Sequence, residues 1–311
     1  RRHLQGDFAS ARREGEEALA LHQQIPTAAS VAAVPELLGK LRTVARAEGR
    51  LEDALALDQR ERQACGHDPF CLASAKIELS ELALDHGELA RAERELIDLP
   101  TFTRSGTLDP RHDLLELRGR LRWRAGRRSE AQAAWQQILT DGAAEFRRDM
   151  ASVGLARLLV AGGKRDAART QLAAVARQPP LTGAEEQRYR LDAIAAAHEL
   201  LAELALPDDV AEAERAIAAA EGAGLHTGDW PLREQIALTA ARVRQAEGDT
   251  QAPARVEKVL ADLRRQGWVG MALEAEWTRA LMTGDTRARR QLAARADKLG
   301  FHELATRARA P

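Results

Sequence analysis

Two cysteines, eight histidines and an unusual surplus of arginine over lysine are the residues of this 311-residue chain with chemistry to offer. Cys65 and Cys71 flank Gly66-His67-Asp68-Pro69-Phe70, which reads as a short turn between two helices. A disulfide there needs Cα atoms within about 7 Å and an oxidising compartment; the alternative is a pair of small buried side chains. His67 lies close by, but a structural zinc site takes four ligands and no second pair exists, so no metal is expected. The remaining histidines are scattered, with no His-Glu-x-x-His and no two of them four apart on one helix. No Gly-x-Ser-x-Gly occurs. Ala161-Gly162-Gly163-Lys164 lacks the phosphate-loop spacing and a preceding strand, and reads as a turn. Glu185-Glu186 and Asp208-Asp209 fall at helix starts, where carboxylates complement the macrodipole. No constellation of catalytic type remains. The expectation is a chain that performs no chemistry within these residues and needs no cofactor.

The elements that would carry these side chains are helical. Apolar residues make up 45% of the chain but aromatics only 4%, so the apolar content is mainly Ala, Leu and Val, of which Ala and Leu are strong helix formers. Leu114, Leu117 and Leu121, like Leu155, Leu158 and Leu159, follow a helical period. Alternating β-branched runs are absent. A net charge of -1 gives no general attraction to nucleic acid or to anionic membrane, and no apolar run reaches the about 20 residues needed to cross a bilayer.

One pattern recurs: a Gly, four residues rich in charge, then an Ala. It starts at Gly6 (to Ala11), Gly49 (to Ala54), Gly87 (to Ala92), Gly126 (to Ala131) and Gly163 (to Ala168), with weaker copies at Asp208, Gly248 and Gly284. The starts are separated by about 36 to 45 residues, a period suited to helical hairpins. Gly can end one helix in the left-handed conformation, and Ala suits the point where the two helices of a hairpin cross.

This pattern resembles the tetratricopeptide repeat family over nearly the whole chain. Trp135 matches the family's large residue on the second helix, as do Leu96 and Leu172. Gly119 and Ala156 match the small residue on the first helix, and Pro180 the closing proline. The repeats are longer than the family's usual about 34 residues and mostly lack its first-helix Trp and Tyr. The drift resembles divergent arrays attached to bacterial signalling proteins such as Ser/Thr kinases, nucleotide cyclases and winged-helix regulators. The resemblance implies an all-α, right-handed α-α superhelix of about seven to eight hairpins, forming one repeat domain over 1–311. The chain opens at Arg1, in the middle of a repeat, so it is expected to be the C-terminal part of a larger protein.

Such superhelices bind on the concave face, which is lined by the first helix of each hairpin. Counting back from each turn Gly places Thr43, Arg46, Glu81, Arg120, Arg124, Arg157 and Arg242 there, within about one residue of register. The expected partner is a protein or peptide, with the arginines forking its carboxylates; the alternative is that these arginines pair with Glu along the stack. Trp135 fits the core. Trp268 and Phe301 are expected to cap the last hydrophobic face, while Trp123 and Trp230, if exposed, are candidate anchors. The function expected is an interaction or sensor scaffold; the alternative is the regulatory region of a kinase, a cyclase or a winged-helix regulator whose working domain lies upstream. The sequence leaves the compartment open between cytoplasmic and, if Cys65 and Cys71 are bonded, periplasmic. Pro100–Pro110, Gln178–Gly183 and Gly222–Pro231 read as breaks between repeats, and Gly183–Leu206 as one long helix.

Overall fold

A computed structural model of the chain describes residues 7–25, 28–97, 99, 110–225 and 227–310. Among these residues there are sixteen helices and no strand. In chain order they are α1 (Phe8–Gln24), α2 (Ala28–Ala47), α3 (Leu51–Cys65), α4 (Pro69–Asp85), α5 (Leu89–Glu95), α6 (Pro110–Arg124), α7 (Arg128–Thr140) and α8 (Glu145–Ala161). There follow α9 (Arg165–Ala176), α10 (Ala184–Ala205), α11 (Val210–Gly224), α12 (Trp230–Ala246), α13 (Ala252–Arg265), α14 (Val269–Thr283), α15 (Thr286–Lys298) and α16 (His302–Arg309). Successive helices pair as seven hairpins, α2/α3 through α14/α15, with α1 ahead of them and α16 opening an eighth. The fold is an all-α superhelix.

The hairpin corners follow from backbone chemistry. At Gly49, Gly87, Gly126 and Gly163 the chain takes φ of 78°, 88°, 72° and 76°, a region that costs a side chain but not glycine. Each corner then closes with two backbone bonds, as in Arg50 N to Ala45 O (2.9 Å) with Gly49 N to Arg46 O (3.0 Å), so the last carbonyls of the first helix are satisfied. Five residues after each of these glycines, Ala54, Ala92, Ala131 and Ala168 have no exposed surface. The corner after α10 has no glycine. There Asp209 caps α11 by accepting from Glu212 N (2.9 Å) and does the work of turning the chain. The segment 98–109 holds most of the Pro100–Pro110 break, and only Leu99 of it lies within the described residues; the third break is narrower than its sequence limits, because α11 runs to Gly224 and α12 begins at Trp230.

Within the stack, Trp135 of α7 is wedged between two first helices. A Cβ built on Gly119 of α6 would stand 2.4 Å from its Nε1, and one on Gly154 of α8 2.4 Å from its Cε2. Its indole N–H donates to Glu116 (2.8 Å).

The superhelix also returns upon itself, which its sequence does not foretell. The corner of the first hairpin abuts the sixth: a Cβ on Gly49 would lie 2.6 Å from Trp230. The second corner abuts the seventh hairpin, Gly87 meeting Val269, and the third abuts the eighth, Gly126 meeting His302. The constant offset of five hairpins defines one superhelical turn, with a second turn stacked on the first along a seam. This corrects three expectations. Trp268 does not cap a free end; it is fully buried and its indole donates to Gly49 O (2.6 Å), 219 residues away. Phe301 is buried in a cluster with Leu117 and Leu121 of the first turn. Trp230 is no exposed anchor: it packs on Trp268 with ring centroids 4.5 Å apart. Trp123 is half-buried, with the Arg128 guanidinium 5.9 Å from its ring.

Candidate functional site: the charged inner face

Counting back from a corner glycine fixes a helix's rotational phase, because 3.6 residues complete a turn. Arg46 of α2, Glu81 of α4, Arg120 and Arg124 of α6, Arg157 of α8 and Arg242 of α12 accordingly occupy the first helices of their hairpins. These helices belong to one stack, with α10 between α8 and α12, and all of these side chains but Arg157 are joined to oppositely charged side chains of other helices. Arg46 Nε donates to Asp85 (2.8 Å), and its Nη2 stands 3.4 Å from Glu81 and 3.8 Å from Asp229. Arg120 donates to Glu81 (2.5 Å) and Arg242 to Glu203 (2.6 Å). Thr43 turns to its own helix and donates to Gly39 O (3.1 Å).

Three of these bonds join residues 39 apart: Arg46 with Asp85, Glu81 with Arg120, and Glu203 with Arg242. The carboxylates Asp85, Glu203, Asp229 and Glu274 escape a reading that follows arginines alone. An Arg and an acid one repeat length apart, at nearly the same distance ahead of a corner, is the signal that finds Asp85 and Glu203. Glu274 and Asp229 have no such signal, since they reach the inner face from the second turn.

The face is surrounded by protein yet open to solvent. Arg120 and Arg124 keep 27% and 29% of their side-chain surface exposed, enough for an incoming group to touch them. Arg124 donates to Glu274 Oε1 (2.5 Å), and Arg307 of α16 reaches both oxygens of the same carboxylate (2.7 and 2.8 Å). Burial works against the charge of Glu274, but Arg307 and Arg124 hold it below the ordinary carboxylate range. Burial, and crowding by Arg307, Arg157 and Arg120, depress Arg124 despite its bond to Glu274.

On the opposite stretch the balance reverses. Asp192, pushed up to about 7 by burial and by Asp229, accepts a bond from the Thr227 hydroxyl. Glu199, also pushed up to about 7 by burial and by Glu203, accepts from Thr239 (2.6 Å) and Gln235 (3.2 Å). Asp113 rises to about 6 through burial, although Arg147 pairs with it. Burial raises Asp85 as well, while Glu81, gripped by Arg46 and Arg120, is lowered. The two share Arg46.

Arg157 differs from its neighbours. Among the described residues it has no hydrogen bond and no ion pair; it is half-buried, and its charge bears on Glu116, Glu199 and Arg124. Arg147 Nε and Arg307 Nε are buried without a hydrogen-bond partner. The unmet groups on this face are therefore donors, and what fits them is an acceptor.

Away from the face, Cys65 and Cys71 are joined, with Cα atoms 5.6 Å apart, and so tie the end of α3 to the first turn of α4. Among the described residues no three His, Cys, Asp or Glu side chains gather as metal ligands, and no helix is long and apolar enough to cross a membrane.

No family model and no curated protein sequence matches the chain. A solved structure of a Rap protein complexed with competence and sporulation factor is similar to it at 15% identity, covering 98% of this chain and 94% of that one, with a TM-score of 0.46.

Proposed function

We propose that the chain is a protein-interaction scaffold that holds an acidic segment or chain end of a protein partner on its inner face, as the sensor part of a bacterial signalling protein. The observation that carries this reading is Arg157: a half-buried guanidinium with no hydrogen bond or ion pair among the described residues, whose charge bears on Arg124, on a surface that solvent reaches. Arginine presents five donors in a fixed fork that matches a carboxylate. A partner carboxylate placed there gains charge-assisted bonds without first displacing another acid from Arg157. The bacterial setting rests on the resemblance of the repeats alone.

The test is selection of a random peptide library on the intact chain, repeated with Arg157→Ala and with Arg120→Ala/Arg157→Ala. The expected result is enrichment of acidic or free-carboxylate peptides on the native protein and its loss in both variants. Peptides enriched equally on all three proteins would reject the reading.

A further inference from the structure

We propose that Glu274 is an internal competitor for the acidic group the inner face receives, so that filling the site loosens the seam between the two superhelical turns. This rests on the inner-face reading above and adds to it a means of regulation.

Glu274 belongs to α14, in the second turn, and Arg124 to α6, in the first. Their bond (2.5 Å) crosses the seam 150 residues apart in the chain. Arg307 of α16 grips the same carboxylate with two bonds. Two guanidiniums, Arg124 and Arg307, thus hold one carboxylate, and the charges of Arg157 and Arg120 bear on Arg124. Arg120 is committed to Glu81; Arg157 is not committed. Glu274 is nearly enclosed, with 6% of its side chain exposed, and it occupies the place on Arg124 and Arg307 that an external carboxylate would take.

An acid that lands on Arg157 comes within reach of Arg124. Each bond Arg124 makes to the newcomer is one fewer available to Glu274. The seam then depends on its other ties: Arg128 with Glu303 (2.9 and 3.0 Å), Trp268 with Gly49 O, and the Arg233 guanidinium with Ala47 O. The loosening is therefore graded and confined to the stretch where α6 faces α14 and α16. A ligand shifts such an equilibrium only through contacts it makes differently in the two states, and here the differing contact is the bond from Arg124.

The experiment uses the full chain and fluorescein-labelled hexaglutamate as the probe, at low salt because exposed charge is screened. Glu274→Gln removes the competitor's charge and keeps its shape. It is expected to tighten the probe by about tenfold, and addition of Arg157→Ala is expected to abolish the gain. Amide exchange in α14 and α16 is expected to quicken in Glu274→Gln, and in the native chain saturated with probe, while α9 is unaffected. Should Glu274→Gln fail to fold, the exchange measurement on the native chain stands alone, and no quickening at α14 or α16 overturns the proposal. A folded Glu274→Gln that binds no more tightly than native also overturns it. If Arg157→Ala alone abolishes binding while Glu274→Gln changes nothing, the inner-face reading survives and the competitor does not. If no variant binds the probe, both fall.

Discussion

The seating of Trp135 gives the sharpest test of the packing. Gly154→Ala adds one carbon to α8, which would stand 2.4 Å from Cε2 and 2.6 Å from Cδ2 of the indole. Ordinary contacts between carbons begin near about 3.5 Å, so the ring must retreat by about 1 Å. It has nowhere to go. Gly119 presses its other edge, its exposure is 1%, and its N–H is tied to Glu116. Overpacking of this kind costs about 1 to 3 kcal/mol, and a ring held on both sides belongs at the upper end. Against this, Ala is about 1 kcal/mol better than Gly inside a helix. The balance is a destabilisation of about 2 kcal/mol. Urea unfolding of the full chain, followed by circular dichroism, should show a lower midpoint with an unchanged slope. Trp135→Leu in the same chain is expected to cost several kcal/mol alone, by analogy with about 3 to 5 for Trp→Ala, yet to make Gly154→Ala harmless. A Gly154→Ala protein as stable as native would show that only helix propensity acts at this position, and the wedge argument would be refuted.

Other consequences are open to measurement. Trp268→Phe removes the indole donor to the buried Gly49 carbonyl and leaves it only the bond from Leu51 N (3.1 Å), at an expected cost of about 1 kcal/mol; an unchanged melting temperature would remove the seam's polar tie from the account. Asp192 and Glu199, raised from 3.8 and 4.5 to about 7, bind more protons folded than unfolded, so their contribution is full below about pH 4 and is lost as pH rises to about 7. Stability is expected to decline across that window, and Asp192→Asn should remove the part of the slope that Asp192 supplies while Glu199 keeps its own; Glu274, shifted the other way, loses its contribution only in acid, outside this window. Reducing the bond between Cys65 and Cys71, which closes a short loop, is expected to cost about 2 kcal/mol, read as a lower unfolding midpoint in dithiothreitol than in its absence.

The features legible in the sequence are those set within a few residues. The left-handed turn at Gly49, Gly87, Gly126 and Gly163 and the crossing contact at the following Ala depend on one corner each, and the helical period of the leucines on one helix each. From these the all-α hairpin fold follows, and helical phase places Arg46, Glu81, Arg120, Arg124, Arg157 and Arg242 on neighbouring first helices. What a local pattern does not hold is pitch. One full turn is the sum of five hairpin-to-hairpin rotations, so nothing near Gly49 announces Trp230, and nothing near Trp268 announces Gly49. Trp230 and Trp268 therefore read as an anchor and an end cap, although each serves the seam. The same blindness hid Glu274, which meets Arg124 only because the second turn lies on the first. An acid one repeat away, such as Asp85 from Arg46, was within reach of pattern reading; an acid one full turn away was not.

The stacking of Gly49, Gly87 and Gly126 against helix starts five hairpins later also constrains how such a chain can change in evolution. An open array, in which each unit touches only the next, tolerates gain or loss of a unit in its middle. Here, excising one hairpin between the third and the sixth would slide every later helix start back by one position, so Val269 would face Gly49 instead of Gly87, and Glu274 would no longer lie across from Arg124. Length between those points is held fixed by geometry, as the tooth count of a gear is fixed by its mate, while hairpins added beyond either end leave the mesh untouched.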